Sequence, residues 1–449
     1  MTLRNPLKIY GIQDENKKLT LLSIAFPLLF QSILNQFYGT LGTMQLSGYS
    51  DIAVSASSIA NSVLNIFVMI INMVINGTII LSAVAIGAKQ RDKTAGYAGT
   101  GAVTVVLLAL LISTFGFFFA EDLMILMNLE GEALTFAAAY FRTRVLFFPL
   151  TALSSLFNSL IICNGMPKIT VYIGFFCSTV SLVLGYIVLY TRIESMINPM
   201  YSMALVANFV QIISLTLTII VYMKNKLAFS LSFTPKYSAK IFKLGIPGGM
   251  ALFMYMLAQT ITTSFVADMG IDVINTKIYI TNIISYVPML GNSLAQATSV
   301  FMGRFRGAGS FRSMKILYRQ NILLTISVNI LLSVIVLILH KPLISIFTDN
   351  PNIIAATMLI FILDIFVEIP RAVNNISENS LNPNGDVKIT FITSTLSCWL
   401  GSVALSYVLC VLLDLQLVGI WIAFIADESI KAMIYLFRWK SNKWQKTKI

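Results

Sequence analysis

Charged residues and histidine are scarce in this chain of 449 residues. Only 11% of the positions are charged and one is a histidine, while 57% are hydrophobic. A soluble domain carries about 25% charged residues, so the composition excludes a soluble protein. The lone His340 also argues against a membrane-embedded enzyme, whose site would need a metal cluster or a nucleophile with its base. We therefore predict no enzymatic activity and no metal site.

Nucleotide-binding and metal-binding patterns are absent as well. The sequence has no GxxxxGK[ST] phosphate-binding loop, so neither direct ATP drive nor an organic cofactor is expected. Its four cysteines lie in or at the end of apolar runs without paired metal-ligand spacing. The net charge of +12 does not indicate nucleic acid, because the basic residues form no single patch. The expected partners are the lipid bilayer and a small-molecule substrate, with the protein acting as a monomer.

Long apolar runs occur throughout the chain. A helix needs about 20 mostly apolar residues to cross the hydrocarbon core, and the runs 102–120, 322–339 and 391–413 reach this length. The runs are apolar on all sides, whereas strands of a membrane barrel alternate. We predict an all-α integral membrane protein of about twelve spans. The spans lie near residues 21–45, 52–85, 96–119, 134–162, 168–190, 199–223, 245–267, 274–302, 317–340, 353–380, 389–413 and 417–437.

The charges of the connecting loops alternate in sign along this topology. Loops on one side carry most of the basic residues, such as Lys89, Lys224 and Lys236, and the opposite loops carry acids such as Glu121 and Asp122. The positive-inside rule places the basic side in the cytoplasm. The first twenty residues are polar, which predicts no cleavable signal peptide. We expect a multi-pass protein of the cell membrane with both termini in the cytoplasm.

The two halves of the chain repeat the same landmarks about 220 residues apart, as transporter folds with internal symmetry do. The paired landmarks are Pro27 with Pro247, Asn61 with Asn282, Pro149 with Pro370, and Lys168-Ile169-Thr170 with Lys388-Ile389-Thr390. Because each copy holds six spans, the two copies share one orientation. We predict two pseudo-symmetric six-helix lobes, 1–230 and 231–449, with the solute path where the lobes meet.

Local patterns along the spans resemble those of the multidrug and toxic compound extrusion (MATE) family. The matching residues are Gly87, Ala88 and Lys89 after span 2; Tyr140, Arg142, Arg144 and Pro149 in span 4; Phe157, Asn158, Asn164, Gly165 and Lys168 at the turn into span 5; Gly303, Arg306, Gly307, Ala308 and Gly309 after span 8; and Gly419, Trp421, Asp427, Glu428, Lys431, Arg438, Trp439, Lys443 and Trp444 at the end. The resemblance implies a twelve-helix antiporter with two lobes facing a central cleft.

Three positions depart from the family pattern. Gly42 in span 1 and Gly185 in span 5 stand where many relatives carry an aspartate. Tyr255 in span 7 stands where one branch of the family has a cation-binding glutamate. The cation-coupling scheme of the family therefore does not transfer directly to this chain.

Span 10 carries the strongest candidates for ion coupling. Asp364, Glu368 and Arg371 are spaced to share one helix face, beside the helix-bending Pro370. Ionisable groups inside a span normally face a cavity or a partner. Burial would favour the neutral forms of the two acids, whereas the nearby guanidinium would favour their ionised forms. Such a balance suits a proton or sodium switch. Alternatively, Glu368 and Arg371 only neutralise each other, or a fixed charge on Arg371 favours an anionic solute.

Further polar residues in the spans fall into two groups. The structural or gating candidates are Pro27, Pro149, Pro247, Pro370, Arg142, Arg144, Asp427 and Glu428. Arg142 and Arg144 would snorkel to the interface, pair with Glu130 or Glu132, or contact the solute. The substrate-cleft candidates are Gln36, Tyr38, Asn158, Tyr255, Gln259 and Asn282, although such groups also join helices by hydrogen bonds.

These features predict a secondary active antiporter that exports amphipathic, cationic organic compounds in exchange for H⁺ or Na⁺ by rocking of its two lobes. A flippase or exporter of an anionic or lipid-linked solute is the alternative within the same superfamily, and it is favoured by the arginines of spans 4 and 10. A receptor or scaffold without transport is disfavoured, because signalling needs no two-lobed repeat. The sequence specifies neither the substrate nor the choice between H⁺ and Na⁺.

Overall fold

The computed structural model describes residues 12–14, 17–190, 199–267, 269, 271–348 and 350–447. Two three-residue strands, β1 (Ile12–Asp14) and β2 (Lys17–Leu19), form an antiparallel pair before the first helix. The remaining regular structure of the described residues is helical, as expected for spans that must satisfy every backbone hydrogen bond within themselves.

Eight helices form the first half of the chain. They are α1 (Leu21–Ser47), α2 (Asp51–Gly87), α3 (Arg91–Phe118), α4 (Ala120–Leu126), α5 (Gly131–Leu146), α6 (Phe148–Cys163), α7 (Pro167–Tyr190) and α8 (Pro199–Lys224). Helices α5 and α6 are bent by 55° at Phe147, so predicted span 4 is a broken helix.

The second half has the same order of long helices. They are α9 (Pro235–Ala267), α10 (Ile271–Ile284), α11 (Pro288–Gly307), α12 (Phe311–Ile338), α13 (His340–Ile344), α14 (Pro351–Leu381), α15 (Val387–Ser397) and α16 (Gln416–Lys440). Predicted span 11 continues beyond α15 through two π-helical segments, Cys398–Ala404 and Tyr407–Leu412.

Each of the predicted spans coincides with a helix, a bent pair or a helix with its π-helical continuation. Among the described residues, eight helices are long and apolar enough to cross a membrane, and the α5–α6 pair makes a ninth if counted as one span. The other three predicted spans are α10 with α11, which is interrupted, and α14 and α16, which carry charged residues. The prediction of an all-α membrane protein is confirmed.

The chain divides into two compact units. One consists of Phe26–Ile86 and Gln90–Gly245, and the other of Ile246–Ile449 with Met1–Ala25 and Gly87–Lys89. The predicted boundary after residue 230 falls in the segment between α8 and α9. Its position stays a prediction.

Each unit has its own apolar core. In the first unit, Phe67 packs against Phe141 and Phe148. In the second unit, the core surrounds the fully buried Trp421 and Phe361. Burial of side chains this large fixes the packing of α14 and α16, because cores are packed as densely as organic crystals.

The end of the chain is held against the second unit by charged and aromatic contacts. Arg438 forms two hydrogen bonds of 2.7 and 2.9 Å to the buried Asp386. Arg306 donates to the carbonyl oxygens of Gln445 and Thr447. Two-point contacts of this kind fix geometry as well as adding energy, so the last described residues are an ordered part of the unit.

Gly77 permits a very close approach between α2 and the start of α9. A Cβ atom at Gly77 would lie 2.2 Å from the carbonyl oxygen of Ile241, and one at Gly245 would lie 1.8 Å from the carbonyl oxygen of Met73. The obstructing atoms are backbone, which has no other rotamer to adopt. Only glycine fits at these two positions without displacing a helix.

We expect Gly77→Ala to lower the thermal unfolding midpoint of the purified protein. Overpacking a tight contact costs about 1–3 kcal/mol, and here the helices themselves must separate. Gly42→Ala is the matched control, because a Cβ at Gly42 meets nothing within 4 Å. Equal Tm values for the two variants and the parent protein would contradict the close contact.

Candidate functional site

Among the residues whose burial the structure describes, buried charge is confined to one of the two units. The buried charged side chains among the described residues are Lys277, Arg304, Asp364, Glu368, Asp386, Asp427, Glu428 and Lys431. All of them belong to the unit of Ile246–Ile449. Burying an ionisable group in a membrane protein is costly and is a mark of function. Most of these residues lie on α14 and α16, which pack against each other.

Helix α14 carries the three ionisable residues predicted for span 10. Glu368 and Arg371 form an ion pair across one helical turn, with the Glu368 side chain fully buried and Arg371 20% exposed. Asp364 is 2% exposed and accepts a hydrogen bond of 3.2 Å from the indole Nε1 of Trp421. No ion pair of the described residues involves Asp364. The two carboxylates therefore differ in their partners: Glu368 is in an ion pair, and Asp364 accepts a hydrogen bond from an indole.

Arg371 also connects α14 to α16. Its Nε lies 3.7 Å from Glu428 Oε1, and the amide of Asn374 donates to Glu428 Oε2 at 2.6 Å. Within α16, Lys431 Nζ lies 3.1 Å from Asp427 Oδ2 and 3.4 Å from Glu428 Oε1. Lys431 therefore pairs with both acids of α16, Asp427 and Glu428, which were predicted as structural or gating candidates. We call Asp364, Glu368, Arg371, Asp427, Glu428 and Lys431 the charged cluster.

Asp427 is fixed from a third helix. Ser397, the last residue of α15, donates to Asp427 Oδ1 at 2.7 Å. The π-helical segment Cys398–Ala404 begins directly after it, and a Cβ at Gly401 would lie 2.8 Å from the Cα of Asp427. π-Helical turns occur often at functional sites, and this one lies against the charged cluster.

Asn329 on α12 is a residue of the site that was not among the predicted candidates. Its amide Nδ2 donates to Glu368 Oε2 at 2.7 Å, and its side chain is fully buried. The available signal was the four-residue spacing of Asn321, Thr325, Asn329 and Ser333, which places polar groups on one face of an otherwise apolar span.

The charged cluster contains more acids than bases. Its four carboxylates have only two basic partners, Arg371 and Lys431. A fifth acid, the half-buried Glu378, lies nearby and interacts with Lys431. A buried carboxylate without a counter-ion takes up a proton or binds a cation, because an isolated charge is too costly away from water. The arrangement is therefore chemically suited to reversible binding of a cation.

The three cleft candidates of the first unit have different surroundings. Gln36 is exposed on α1. The Tyr38 hydroxyl lies 2.8 Å from the Thr179 hydroxyl of α7. On α6, Asn158 Nδ2 donates to Ser154 Oγ at 3.5 Å, and Asn158 Oδ1 accepts a hydrogen bond of 3.5 Å from Thr218 Oγ1 of α8. Tyr38 and Asn158 thus join helices within the unit, the alternative role that their polarity allows.

The three cleft candidates of the second unit differ in exposure and in their contacts. Tyr255 on α9 is 38% exposed and interacts electrostatically with Arg371 and Glu428. Gln259, one turn later, is half-buried, and Asn282 on α10 is exposed. The structure brings Tyr255 to the charged cluster and records no such contact for Gln259 or Asn282 among the described residues.

The repeated prolines have different local effects. Pro27, Pro247 and Pro370 lie inside the continuous helices α1, α9 and α14. Pro149 instead is the second residue of α6, just after the 55° bend. Proline removes a backbone hydrogen bond and bends or breaks helices, and only the Pro149 site is a full break.

The two arginines of span 4 have partners other than those predicted. Arg142 forms an exposed ion pair of 3.2 Å with Glu121 rather than with Glu130 or Glu132. Arg144 donates to Asn208 Oδ1 at 2.9 Å, and Asn208 in turn donates to the carbonyl oxygen of Thr143. Both contacts tie α5 to its neighbours, because Glu121 lies on α4 and Asn208 on α8.

The two glycines that replace family aspartates differ in their surroundings. A Cβ at Gly42 would meet nothing within 4 Å, whereas one at Gly185 would lie 3.0 Å from Gln45 Oε1. Gln45 itself donates to the carbonyl oxygen of Leu182. The first unit therefore places an amide, not a carboxylate, beside the span 5 position.

A family model matches the chain twice. The model is MatE, and the matched ranges are 27–187 and 247–408. The ranges begin at the two prolines that the repeat pairs, Pro27 and Pro247. The predicted repeat and the predicted family resemblance are confirmed.

Curated proteins resemble the chain over almost its whole length. The transporter YisQ of Bacillus subtilis, described as uncharacterized, is 28% identical over 96% of this chain and 95% of its own length. The probable multidrug resistance protein NorM of Thermotoga maritima is 22% identical over 95% of this chain and 93% of its own length.

Solved structures share the fold. An outward-facing multidrug resistance MATE transporter of the MOP superfamily superposes with a TM-score of 0.86 at 15% identity, covering 95% of this chain and 96% of its own. A MOP superfamily transporter from Pyrococcus furiosus, for which a reversed polarity of the binding pocket was taken to suggest a different function, gives 0.85 at 14% identity with the same coverage. At this identity the likeness is one of fold.

Proposed function

We propose that this chain, which belongs to the MatE family of membrane transporters, is a secondary active antiporter that exports amphipathic, cationic organic compounds in exchange for protons. The observation that carries the proposal is the charged cluster, in which buried carboxylates outnumber the bases that neutralise them. A buried carboxylate without its own counter-ion is stable in the membrane only when it has bound a cation. Coupling to an ion gradient requires a group of this kind, which binds and releases the ion.

The surroundings of the carboxylates favour a proton over sodium. Asp364 accepts from an indole N–H, and Glu368 accepts from an amide N–H and a guanidinium. Hard metal cations need several oxygen ligands, whereas the groups that contact these two carboxylates do so through N–H donors. Among the described residues no group of three or more His, Cys, Asp or Glu side chains has metal-binding geometry.

The pairing of Arg371 favours a cationic solute over an anionic one. A free guanidinium in span 10 would attract an anion, but Arg371 is in contact with both Glu368 and Glu428. Arg142 is likewise paired with Glu121. This pairing weakens the case for a flippase of lipid-linked, anionic solutes. The NorM proteins, named for multidrug resistance, are in line with export of several compounds.

Transport would proceed by rocking of the two halves, which expose the substrate site to the cytoplasm and then to the exterior. Protonation in the C-terminal half would favour one conformation and substrate binding the other, since a ligand shifts an equilibrium only by its differential affinity. We further propose that the protein acts as a monomer in the cell membrane with both termini in the cytoplasm, as the basic loops indicate.

The proposal is tested by flux in proteoliposomes under imposed gradients. Ethidium and tetraphenylphosphonium serve as cationic probes and carboxyfluorescein as an anionic one. We expect a pH gradient to drive transport of the cations, and a sodium gradient at constant pH to drive none. Transport of carboxyfluorescein alone would contradict the cationic substrate class. Transport driven by the sodium gradient alone would contradict the proton as coupling ion.

A further inference from the structure

From Asn321 to Ser333, helix α12 is polar on its inner face and mostly apolar on its outer face. Its buried residues are Met314, Leu317, Tyr318, Asn321, Thr325, Asn329 and Ser333, so every buried position from Tyr318 onward is polar. The exposed positions include Leu323 and Leu331. A polar stripe turned toward the protein interior of a membrane helix normally faces hydrogen-bonding partners or water.

Four of these polar side chains lack partners for some of their atoms. Asn321 Oδ1, Thr325 Oγ1, Asn329 Oδ1 and Ser333 Oγ are buried and have no hydrogen-bond partner among the described residues. Their residues are at most 3% exposed. A buried polar atom that stays unpaired costs free energy comparable to a lost hydrogen bond, and several of them in a row are the usual lining of ordered water.

The stripe passes Glu368 and extends to both sides of it. Asn329 donates to Glu368, Ser333 lies one turn further along α12, and Thr325 and Asn321 lie one and two turns back. From Asn321 to Ser333 the distance along the helix axis is about 18 Å. Helix α11 packs closely on the stripe at Gly291, where a Cβ would lie 3.0 Å from Thr325 Cγ2 and 3.2 Å from Asn329 Oδ1.

One end of the stripe is closed. The Tyr318 hydroxyl lies 2.8 Å from the Ser377 hydroxyl, and the Tyr318 ring stacks on Trp439 at 4.1 Å between centroids. Trp439 in turn stacks on the fully buried Trp444. This is the end that the basic loops assign to the cytoplasm, so the end at Ser333 is directed toward the exterior.

We infer that the polar face of α12 is hydrated and is the path along which the coupling proton reaches Glu368, entering from the side of Ser333. The inference rests on the proposed function. A proton from exterior water passes along hydrogen-bonded water and hydroxyl groups to a Glu368 oxygen, which turns the carboxylate into the neutral acid. Arg371 then keeps Glu428 as its anionic partner.

The path is tested by the rate at which Glu368 takes up a proton. A flash of caged protons is given to the whole purified protein, and the carbonyl band of a protonated carboxyl group is followed by time-resolved infrared spectroscopy. The band of Glu368 is the one missing in Glu368→Gln. We expect Ser333→Ala, which lies between the entrance and Glu368, to slow its rise by about fivefold, the effect of removing one hydrogen bond from the path.

Ser327→Ala is the matched control. Ser327 is on the same helix and is exposed on the other face, so its loss should leave the rate unchanged. An unaltered rate in Ser333→Ala would overturn the path while leaving proton-driven export in proteoliposomes intact. Absence of a Glu368 band in the parent protein would overturn both the path and the role of Glu368 in coupling. Neither variant changes side-chain size greatly, and an unchanged Tm confirms folding.

Discussion

Glu368→Gln is expected to abolish export driven by a pH gradient and to leave the protein folded. Glutamine has nearly the shape of glutamate, and its amide oxygen can accept from one of Asn329 and Arg371, the two donors that hold Glu368, while Arg371 keeps its contact with Glu428. What it loses is the ability to bind and release a proton. The side chain is fully buried, so bulk water does not replace that function. The measurement is ethidium flux in proteoliposomes with and without a pH gradient.

Two further measurements make this result specific. Exchange of labelled for unlabelled substrate without a gradient should persist in Glu368→Gln, because substrate binding does not require the proton. Glu132→Gln removes an exposed carboxylate at the start of α5 and should transport like the parent protein. Normal gradient-driven flux in Glu368→Gln would move the coupling role elsewhere, and Asp364→Asn then becomes the decisive variant.

Much of the fold could be predicted because membrane burial leaves a strong trace in sequence. A run of about 20 apolar residues has few structural alternatives in a bilayer. The repeat of Pro27 at Pro247 indicated that the two halves have the same order of spans. The interruption between α10 and α11 and the π-helical segments after α15 could not be predicted. The first π-helical segment lies where the chain packs closely on α16, at the contact of Gly401 with Asp427, and no hydropathy pattern contains that contact.

The candidate site was only partly predictable, and the reason is that charge is easier to recognise in a span than neutral polarity. Asp364, Glu368 and Arg371 stand out at once, and their spacing predicts the Glu368–Arg371 pair. Asn329 does not stand out, since single amides in spans commonly join helices. Its contact with Glu368 depends on the antiparallel register of α12 and α14, which sequence spacing within one helix does not specify.

Arg371→Met is expected to destabilise the protein strongly, by about 3–5 kcal/mol, because it leaves buried carboxylates without their cation. Glu368 loses its only ion-pair partner among the described residues, and Glu428 keeps Lys431 alone. The measurement is Tm in detergent. Arg371→Lys keeps the positive charge but not the planar group that reaches both carboxylates, so its Tm should lie between those of the parent and Arg371→Met.

The double variant Glu368→Gln/Arg371→Met separates packing from coupling. If Glu368 and Arg371 interact as the structure shows, removing both charges restores most of the stability lost in Arg371→Met, since a buried pair can be replaced by neutral residues at little cost. A shortfall in Tm equal to the sum of the two single effects would mean that the residues do not interact. Proton-driven flux should stay absent in the stable double variant, because a pair that only locked the helices would be dispensable once its charges are removed together. Recovery of flux along with stability would therefore assign Glu368 a purely structural role.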